Sequence, residues 1–285
     1  MSITDRNAAL SPQHLIDCPG LAAYRNRLPC VSRFEGGTSL RGEKNFRHDA
    51  DRPVISIITI VFNGRDCLER TIRSVLAQTY RNIEFVIIDG GSTDGTQDII
   101  RKYDRDIAYW VSERDHGIGD AFNKGLSVVT GEWIMFLNAA DTLAEPDSLE
   151  AMSRHVDAAP IISGFSRAGR KIIPKRALLN SDPIEVRAML SHQASLVHRS
   201  LFETYGIFDT SFRIRMDYDF WLRVLQRERF HFLEQIFVDF AARGASNRNL
   251  KSYIFEELRV NKKNLGSFRL LSAARLLFYL ERFTQ

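Results

Sequence analysis

Ile83-Glu84-Phe85-Val86-Ile87-Ile88-Asp89-Gly90-Gly91-Ser92-Thr93-Asp94-Gly95 runs from an apolar stretch into a carboxylate and then a glycine-rich turn. Trp133-Ile134-Met135-Phe136-Leu137-Asn138-Ala139-Ala140-Asp141 repeats the arrangement, with the apolar run first and the acid at its end. Short, nearly all-apolar runs suit strands covered on both faces. An acid where such a strand ends marks the usual ligand-binding edge of an open α/β sheet. Between the two lies Ser112-Glu113-Arg114-Asp115-His116-Gly117-Ile118-Gly119-Asp120-Ala121-Phe122-Asn123-Lys124-Gly125, dense in polar groups that a core does not need. Together they predict a site for a charged ligand, read as a nucleotide.

Working outward, the same strand-then-helix rhythm continues. Val54 to Phe62 is a near-continuous β-branched run that Asn63-Gly64 interrupts, and Leu68, Ile72, Val75 and Leu76 follow at helical spacing. After Asp89 a short helix passes through Ile99 and Ile100, with Ser92, Thr93 and Asp94 as candidate caps. Ile107 to Val111 reads as a short strand. Ile118, Ala121, Phe122, Gly125, Leu126 and Val129 form a helical stripe before the strand Trp133 to Leu137. Repeated β-then-α units predict an α/β fold: a mostly parallel, Rossmann-like sheet with helices on both faces. After about residue 160 Gly, Pro and basic residues interrupt shorter apolar segments, which predicts a smaller second half packed on the first. Its clearest helix starts near Asp217, and Tyr253 to Phe283 reads as helical.

With 285 residues the chain can bury a sizeable core, and 44% hydrophobic with 26% charged residues is ordinary for a soluble protein. A net charge of +4 would assist contact with phosphates or an anionic membrane face, although most such charges simply solvate a surface. Cys18, Cys30 and Cys67 are widely spaced, fit no metal pattern and read as free thiols in a reducing cytosol. Neither a signal-peptide layout nor an apolar run long enough to span a membrane is present, so secretion and insertion are not expected.

Four segments in order carry a specific resemblance. Ile57-Ile58-Thr59-Ile60-Val61-Phe62-Asn63, Ser74-Val75-Leu76-Ala77-Gln78-Thr79-Tyr80, Ile87 to Thr96 and Phe136 to Asp141 resemble the family 2 glycosyltransferases, which have the GT-A fold. The match spans roughly Pro53 to Leu225. Asp89-Gly90-Gly91-Ser92, Glu113-Arg114-Asp115-His116-Gly117-Ile118 and Asn123-Lys124-Gly125 look like the bacterial branch that builds O-antigen and exopolysaccharide. The resemblance implies an inverting enzyme that moves a sugar from a nucleotide diphosphate sugar onto a growing, lipid-linked glycan. It implies no nucleic-acid partner.

Such a transfer needs a cradle for the nucleoside, charge stabilisation of the departing diphosphate, and a base for the acceptor hydroxyl. Asp89 can accept hydrogen bonds from a base edge or ribose, or instead cap the next helix; Phe62 and Asn63 can flank the base, or Phe62 can pack in the core. Gly91, Ser92, Asp120, Asn123, Lys124 and Asn138 complete the expected donor-binding set. By resemblance Glu113 and Asp115 also belong among the residues some of which line the sugar and diphosphate pocket, while Lys124 could be a surface cation and Asp120 a helix-face acid. His192, in Ser191-His192-Gln193, is expected to bond a phosphate or sugar hydroxyl, or to be structural. Asp141 is the expected ligand for Mn²⁺ or Mg²⁺, hard cations that need only one or two protein carboxylates. Relatives usually show further acids in this loop, where this chain has Asn138 and Ala140, so a metal-independent enzyme stays open. In Arg215-Met216-Asp217-Tyr218-Asp219-Phe220-Trp221, the general base by resemblance is Asp217, with Asp219 the fallback.

The expected organisation is an irregular N-terminal arm over 1–50, a nucleotide-sugar-binding half over 51–160, an acceptor-side half over 161–250 and C-terminal helices over 251–285. The amphipathic stretch Arg269 to Phe283 could lie on the membrane as a peripheral contact or pack on its own domain. The expected location is the cytoplasm, at the inner face of the bacterial membrane. Two other readings stay open. One is a non-catalytic sugar-nucleotide-binding or assembly subunit, favoured by Ala140. The other is a nucleotidyltransferase, for which Asn63-Gly64-Arg65-Asp66 makes a poor phosphate loop.

Overall fold

The computed structural model describes residues 33–42, 51–241 and 250–266. Its centre is a set of four parallel strands: β2 (Ile55–Val61), β3 (Ile83–Asp89), β4 (Tyr109–Ser112) and β5 (Trp133–Phe136). They lie in the order β4-β3-β2-β5, so chain direction across the sheet reverses at β2. Register aligns Val61 with Asp89 and Asp89 with Ser112. The Leu137 and Ala139 N–H groups continue the β5 pairing to the Ile58 and Ile60 carbonyls. All four strands therefore end on one edge, where open α/β sheets bind ligands.

The second half does not form a separate sheet. β9 (Ser195–His198) pairs antiparallel with β5, β7 (Ile161–Ala168) antiparallel with β9, and β10 (His231–Asp239) parallel with β7. β6 (Thr142–Leu143) closes that side against β10, while β8 (Lys171–Ile173) forms a hairpin with β7. At the other side β1 (Phe34–Gly36) pairs antiparallel with β4. The arm expected to be irregular over 1–50 thus supplies an edge strand; its remaining residues, with Cys18 and Cys30, lie outside the described ones.

Helices cover both faces because the strands are apolar on both. Ile58, Val86, Ile88 and Val111 face α3 (Ile118–Val128), through Phe122 and Leu126, and α7 (Met216–Leu225), through Phe220, Trp221 and Val224. Ile55, Ile57, Phe85 and Ile87 turn the other way onto α1 (Leu68–Leu76), α2 (Thr96–Lys102) and α4 (Ser148–Ser153). This is the α/β, GT-A architecture expected. The short helices α5 (Ile184–Arg187) and α6 (Ser200–Tyr205) fill the second half, and α8 (Leu250–Leu265) packs on α7. The expected membrane-facing stretch 269–283 lies outside the described residues, among which no helix is long and apolar enough to cross a membrane.

Candidate active site

At the edge, the loops after β2 and β3 are zipped together by side-chain hydrogen bonds. Asp89, fully buried, accepts from the Ser92 N–H at 3.1 Å and from the Ser92 and Ser112 hydroxyls at 2.5 Å each. The Ser92 hydroxyl accepts from the Asn63 N–H at 2.7 Å, and Asn63 Oδ1 accepts from the Thr93 N–H at 3.0 Å. Gly91 (φ 82) and Asn63 (φ 50) both take left-handed backbone to make this turn. Asp89, Asn63, Gly91 and Ser92 therefore come together as expected, but the Asp89 carboxylate holds the loop from within. The group that projects from it is Phe62, 67% exposed at the exit of β2. A residue that large and open, at the end of an otherwise buried strand, offers a flat apolar face to a ligand.

Next to it stands the carboxylate of Asp115, one of the residues that the resemblance put near the sugar and diphosphate. A Cβ built on Gly90 would lie 2.4 Å from Asp115 Oδ2 and 3.4 Å from the Phe62 ring. The Asp115 carboxyl thus occupies the volume of a residue-90 side chain. Its Oδ1 accepts from the Gly117 N–H at 2.9 Å, while Oδ2 takes no hydrogen bond from the described residues. Burial pushes its acidity toward higher pH, against the pull of the Gly117 N–H and Lys124. The sequence offered Asp115 and the empty side chain at Gly90 separately, and the fold connects them.

Three residues expected in the donor-binding set make contacts within the protein. Asn123, fully buried, clamps the Phe208 backbone with two bonds, donating at 2.9 Å and accepting at 3.0 Å. Lys124, 8% exposed, is no surface cation: it donates to the Arg114 carbonyl at 3.0 Å and pairs with Glu113 at 3.0 Å. Asp120 accepts from the His116 N–H at 3.1 Å and lies 3.8 Å from Lys124. Together they shape the 113–120 loop that carries Asp115, because a motif fixes residue type but not the helix face it turns to.

The loop after β5 is strained. Ala140 adopts φ 84, uncommon for a residue with a side chain, and its N–H donates to Thr71 Oγ1 at 3.0 Å. Asp141, 3% exposed, accepts from the Ala241 N–H at 2.9 Å through Oδ1, but among the described residues its Oδ2 is buried without a partner. Asn138 Oδ1 is likewise buried and unpartnered. Burial pushes the Asp141 carboxyl up to about 7, against the Ala241 hydrogen bond. Among the described residues no group of three or more His, Cys, Asp or Glu could hold a metal. Two orphaned hard oxygens on one loop do fit a cation that draws its remaining ligands from phosphate and water.

On the acceptor side, Asp217 sits in the first turn of α7 and is half-exposed. Its Oδ1 accepts from the Tyr218 N–H at 2.7 Å. A Cβ built on Gly119 of α3 would lie 3.7 Å from the Met216 side chain, so the start of α7 stands beside the start of α3 at the ligand edge. Asp217 is held there by Glu256, a residue outside every motif: its carboxylate accepts from the Arg213, Ile214 and Arg215 N–H groups at 2.8–3.0 Å. Asp219, the fallback base, is fully buried and committed to Arg223 at 3.0 Å and to Lys263 and Asn264 at 2.9 Å each. It ties α8 to α7 and cannot receive a substrate proton.

His192 does not reach a solvent-facing pocket. It stacks on Phe136 at 4.8 Å between centroids, with Phe208 and Trp221 edge-on, and neither ring nitrogen has a partner among the described residues. Burial pushes it down to about 4, opposed weakly by Asp217, so the ring is neutral beneath the acceptor side.

Comparison with known proteins identifies the family and the fold. The family described as Glycosyl transferase family 2 matches residues 56–236, more than half of the chain. An uncharacterized glycosyltransferase of Mycobacterium tuberculosis is 32% identical over 218 residues, covering 73% of this chain and 82% of the relative. The S. aureus TarS 1–349 structure in complex with UDP-GlcNAc is similar at TM-score 0.63 and 16% identity, over 81% of this chain and 71% of that one. Of the longer S. aureus TarS chain, this one spans 43%. Glucosyl-3-phosphoglycerate synthase from Mycobacterium tuberculosis, solved with Mn²⁺ and uridine diphosphate, is similar at TM-score 0.58 and 15% identity, covering 78% and 82%. At those identities the structures show the shared fold.

Proposed function

The chain belongs to glycosyl transferase family 2 and is a glycosyltransferase, and from that premise we propose an inverting transfer from a nucleotide diphosphate sugar to a lipid-linked glycan. The observation that carries it is the half-exposed Asp217 at the same sheet edge as Phe62 and Asp115. Phe62 stacks on the base, and Asp115 Oδ2 accepts from the base edge or ribose. Asp217 takes the proton of the acceptor hydroxyl as that oxygen attacks the anomeric carbon from the face opposite the leaving diphosphate, which inverts the centre. Mn²⁺ or Mg²⁺, when bound, would neutralise charge on the diphosphate, and Asn138 and Asp141 would hold it.

The motif forms at Asp89-Gly90-Gly91-Ser92 and Asn123-Lys124-Gly125 support a place in surface polysaccharide synthesis, as O-antigen or exopolysaccharide, at the inner face of the membrane. Solved relatives carrying UDP-GlcNAc, or Mn²⁺ with uridine diphosphate, support the donor class and the metal. The test is release of nucleoside diphosphate from a panel of nucleotide sugars, with Mn²⁺ or Mg²⁺ and a membrane extract supplying acceptor. No release from any donor would end the enzyme reading. Donor binding without release would instead favour a non-catalytic subunit, the reading to which Ala140 points.

A further inference from the structure

The aromatic layer beneath the acceptor side carries polar atoms that the chemistry above leaves unused. His192 and Trp221 are 5% and 1% exposed, and among the described residues neither imidazole nitrogen nor the indole Nε1 has a hydrogen-bond partner. Phe122, Phe136 and Phe208 surround the imidazole, with ring centroids 4.8–5.6 Å from its own. Polar atoms shut away from water in such surroundings cost stability unless something pairs with them. A phenyl ring would fill the same place without that cost, so packing alone does not call for a histidine.

The placement of these atoms gives them something to act on. Asp217 and Trp221 are four residues apart on α7 and share one flank of it. A long side chain on a helix leans back over the turn before it, so the indole lies along the turn that carries Asp217. Its ring centroid is 6.0 Å from that of His192, at 71°. Asp217 uses Oδ1 to accept from the Tyr218 N–H, while Oδ2 takes no hydrogen bond from the described residues. The charge of Asp217 reaches the imidazole, where it favours the proton that burial expels.

We propose that His192 is a positioning residue for Asp217: with Trp221 Nε1 it holds one water beneath the carboxylate, and that water aims the carboxylate at the acceptor hydroxyl. The water accepts from the indole N–H and one imidazole N–H and donates to Asp217 Oδ2, partners enough for a buried water. Because the ring is neutral, it orients the carboxylate without the nearby positive charge that would make Asp217 a weaker base. The proposal rests on the reading of Asp217 as the base, and its test separates the two.

The experiment compares His192→Phe with His192→Gln in the full chain, at matched folded concentration. The first keeps an aromatic ring and loses the polar edge; the second keeps an N–H and loses the ring. His192→Phe should lower kcat by roughly tenfold or more, with donor KM within about twofold of wild type, and His192→Gln should recover most of the rate. The reverse order, Phe active and Gln impaired, is what packing alone requires and would overturn the proposal, as would equal loss in both. A second readout does not use transfer. In nitrogen NMR of the histidine rings, the His192 signals should move on Asp217→Asn, while those of His155 and His231, stacked on each other away from the site, stay in place. Unmoved His192 signals would overturn the proposal. Full turnover in Asp217→Asn would instead end the base reading, and shifted His192 signals beside it would still establish the contact.

Discussion

Asp115 fills the place that Gly90 leaves: its Oδ2 lies 2.4 Å from where a residue-90 Cβ would stand, beside the exposed Phe62 ring. An acid delivered by the β4–α3 loop thereby stands where a side chain on the β3 exit would. Asp115→Asn is expected to weaken nucleoside diphosphate binding about tenfold, the loss of one charge-assisted hydrogen bond. Gly90→Ala should do the same by displacing the carboxylate. Calorimetric titration with uridine and guanosine diphosphates checks both; unchanged affinity in Asp115→Asn would remove it from the site.

Asp217 and Asp219 should part cleanly on substitution. Asp217→Asn is expected to lower kcat by about 10²–10⁴-fold with donor affinity kept. Asp219→Asn should instead destabilise by about 2–4 kcal/mol, since Arg223 and Lys263 lose their buried partner, while turnover per folded molecule survives. Kinetics at matched folded concentration, beside urea unfolding, decide it. A donor-binding defect in Asp217→Asn would sink the base assignment.

Asp141 makes stability depend on pH with a defined sign. Its folded carboxyl is pushed up to about 7, whereas an unfolded aspartate titrates near ~3.9. The folded state thus holds the proton more tightly. The stabilisation is complete below about pH 4 and is lost as pH rises toward 7, on the order of 4 kcal/mol in all. Asp141→Asn should flatten that slope in a thermal-melt series from pH 4 to 8. Mn²⁺ should raise the wild-type melting temperature at pH 8 more than at pH 5, with no such difference in Asp141→Asn.

Glu256→Gln tests the support beneath Asp217. Three N–H groups share one carboxylate, and an amide offers a single uncharged acceptor oxygen. The variant should lose about 1–3 kcal/mol of stability and at least tenfold in kcat, with donor KM nearly unchanged. A proportional rise in KM with kcat intact would contradict the positioning role.

Much of the fold was legible in the sequence because the apolar runs of β2, β3 and β5 leave few alternatives. Ile55 to Val61 can only be a strand covered on both sides. The second half was harder to read, since β7, β9 and β10 join the same sheet by antiparallel and crossover pairings that periodicity does not encode. Site residues divide along the same line. Phe62, Asp89 and Asp217 follow from their place at element ends. Asn123, Lys124 and Asp219 carry ligand-like chemistry on helix faces that turn inward, and Asp115 and Glu256 act through contacts across loops.

The Glu256 contact also sets an order of events during synthesis. The residues through β10 contain every strand of the sheet and both loops of the nucleotide edge, and they leave the ribosome first. Asp217 leaves with them, but the carboxylate that organises its approach loop emerges only with α8. A nascent chain stalled in between would carry the donor edge without its base in place. On the proposed role of Asp217, turnover would then await the arrival of α8.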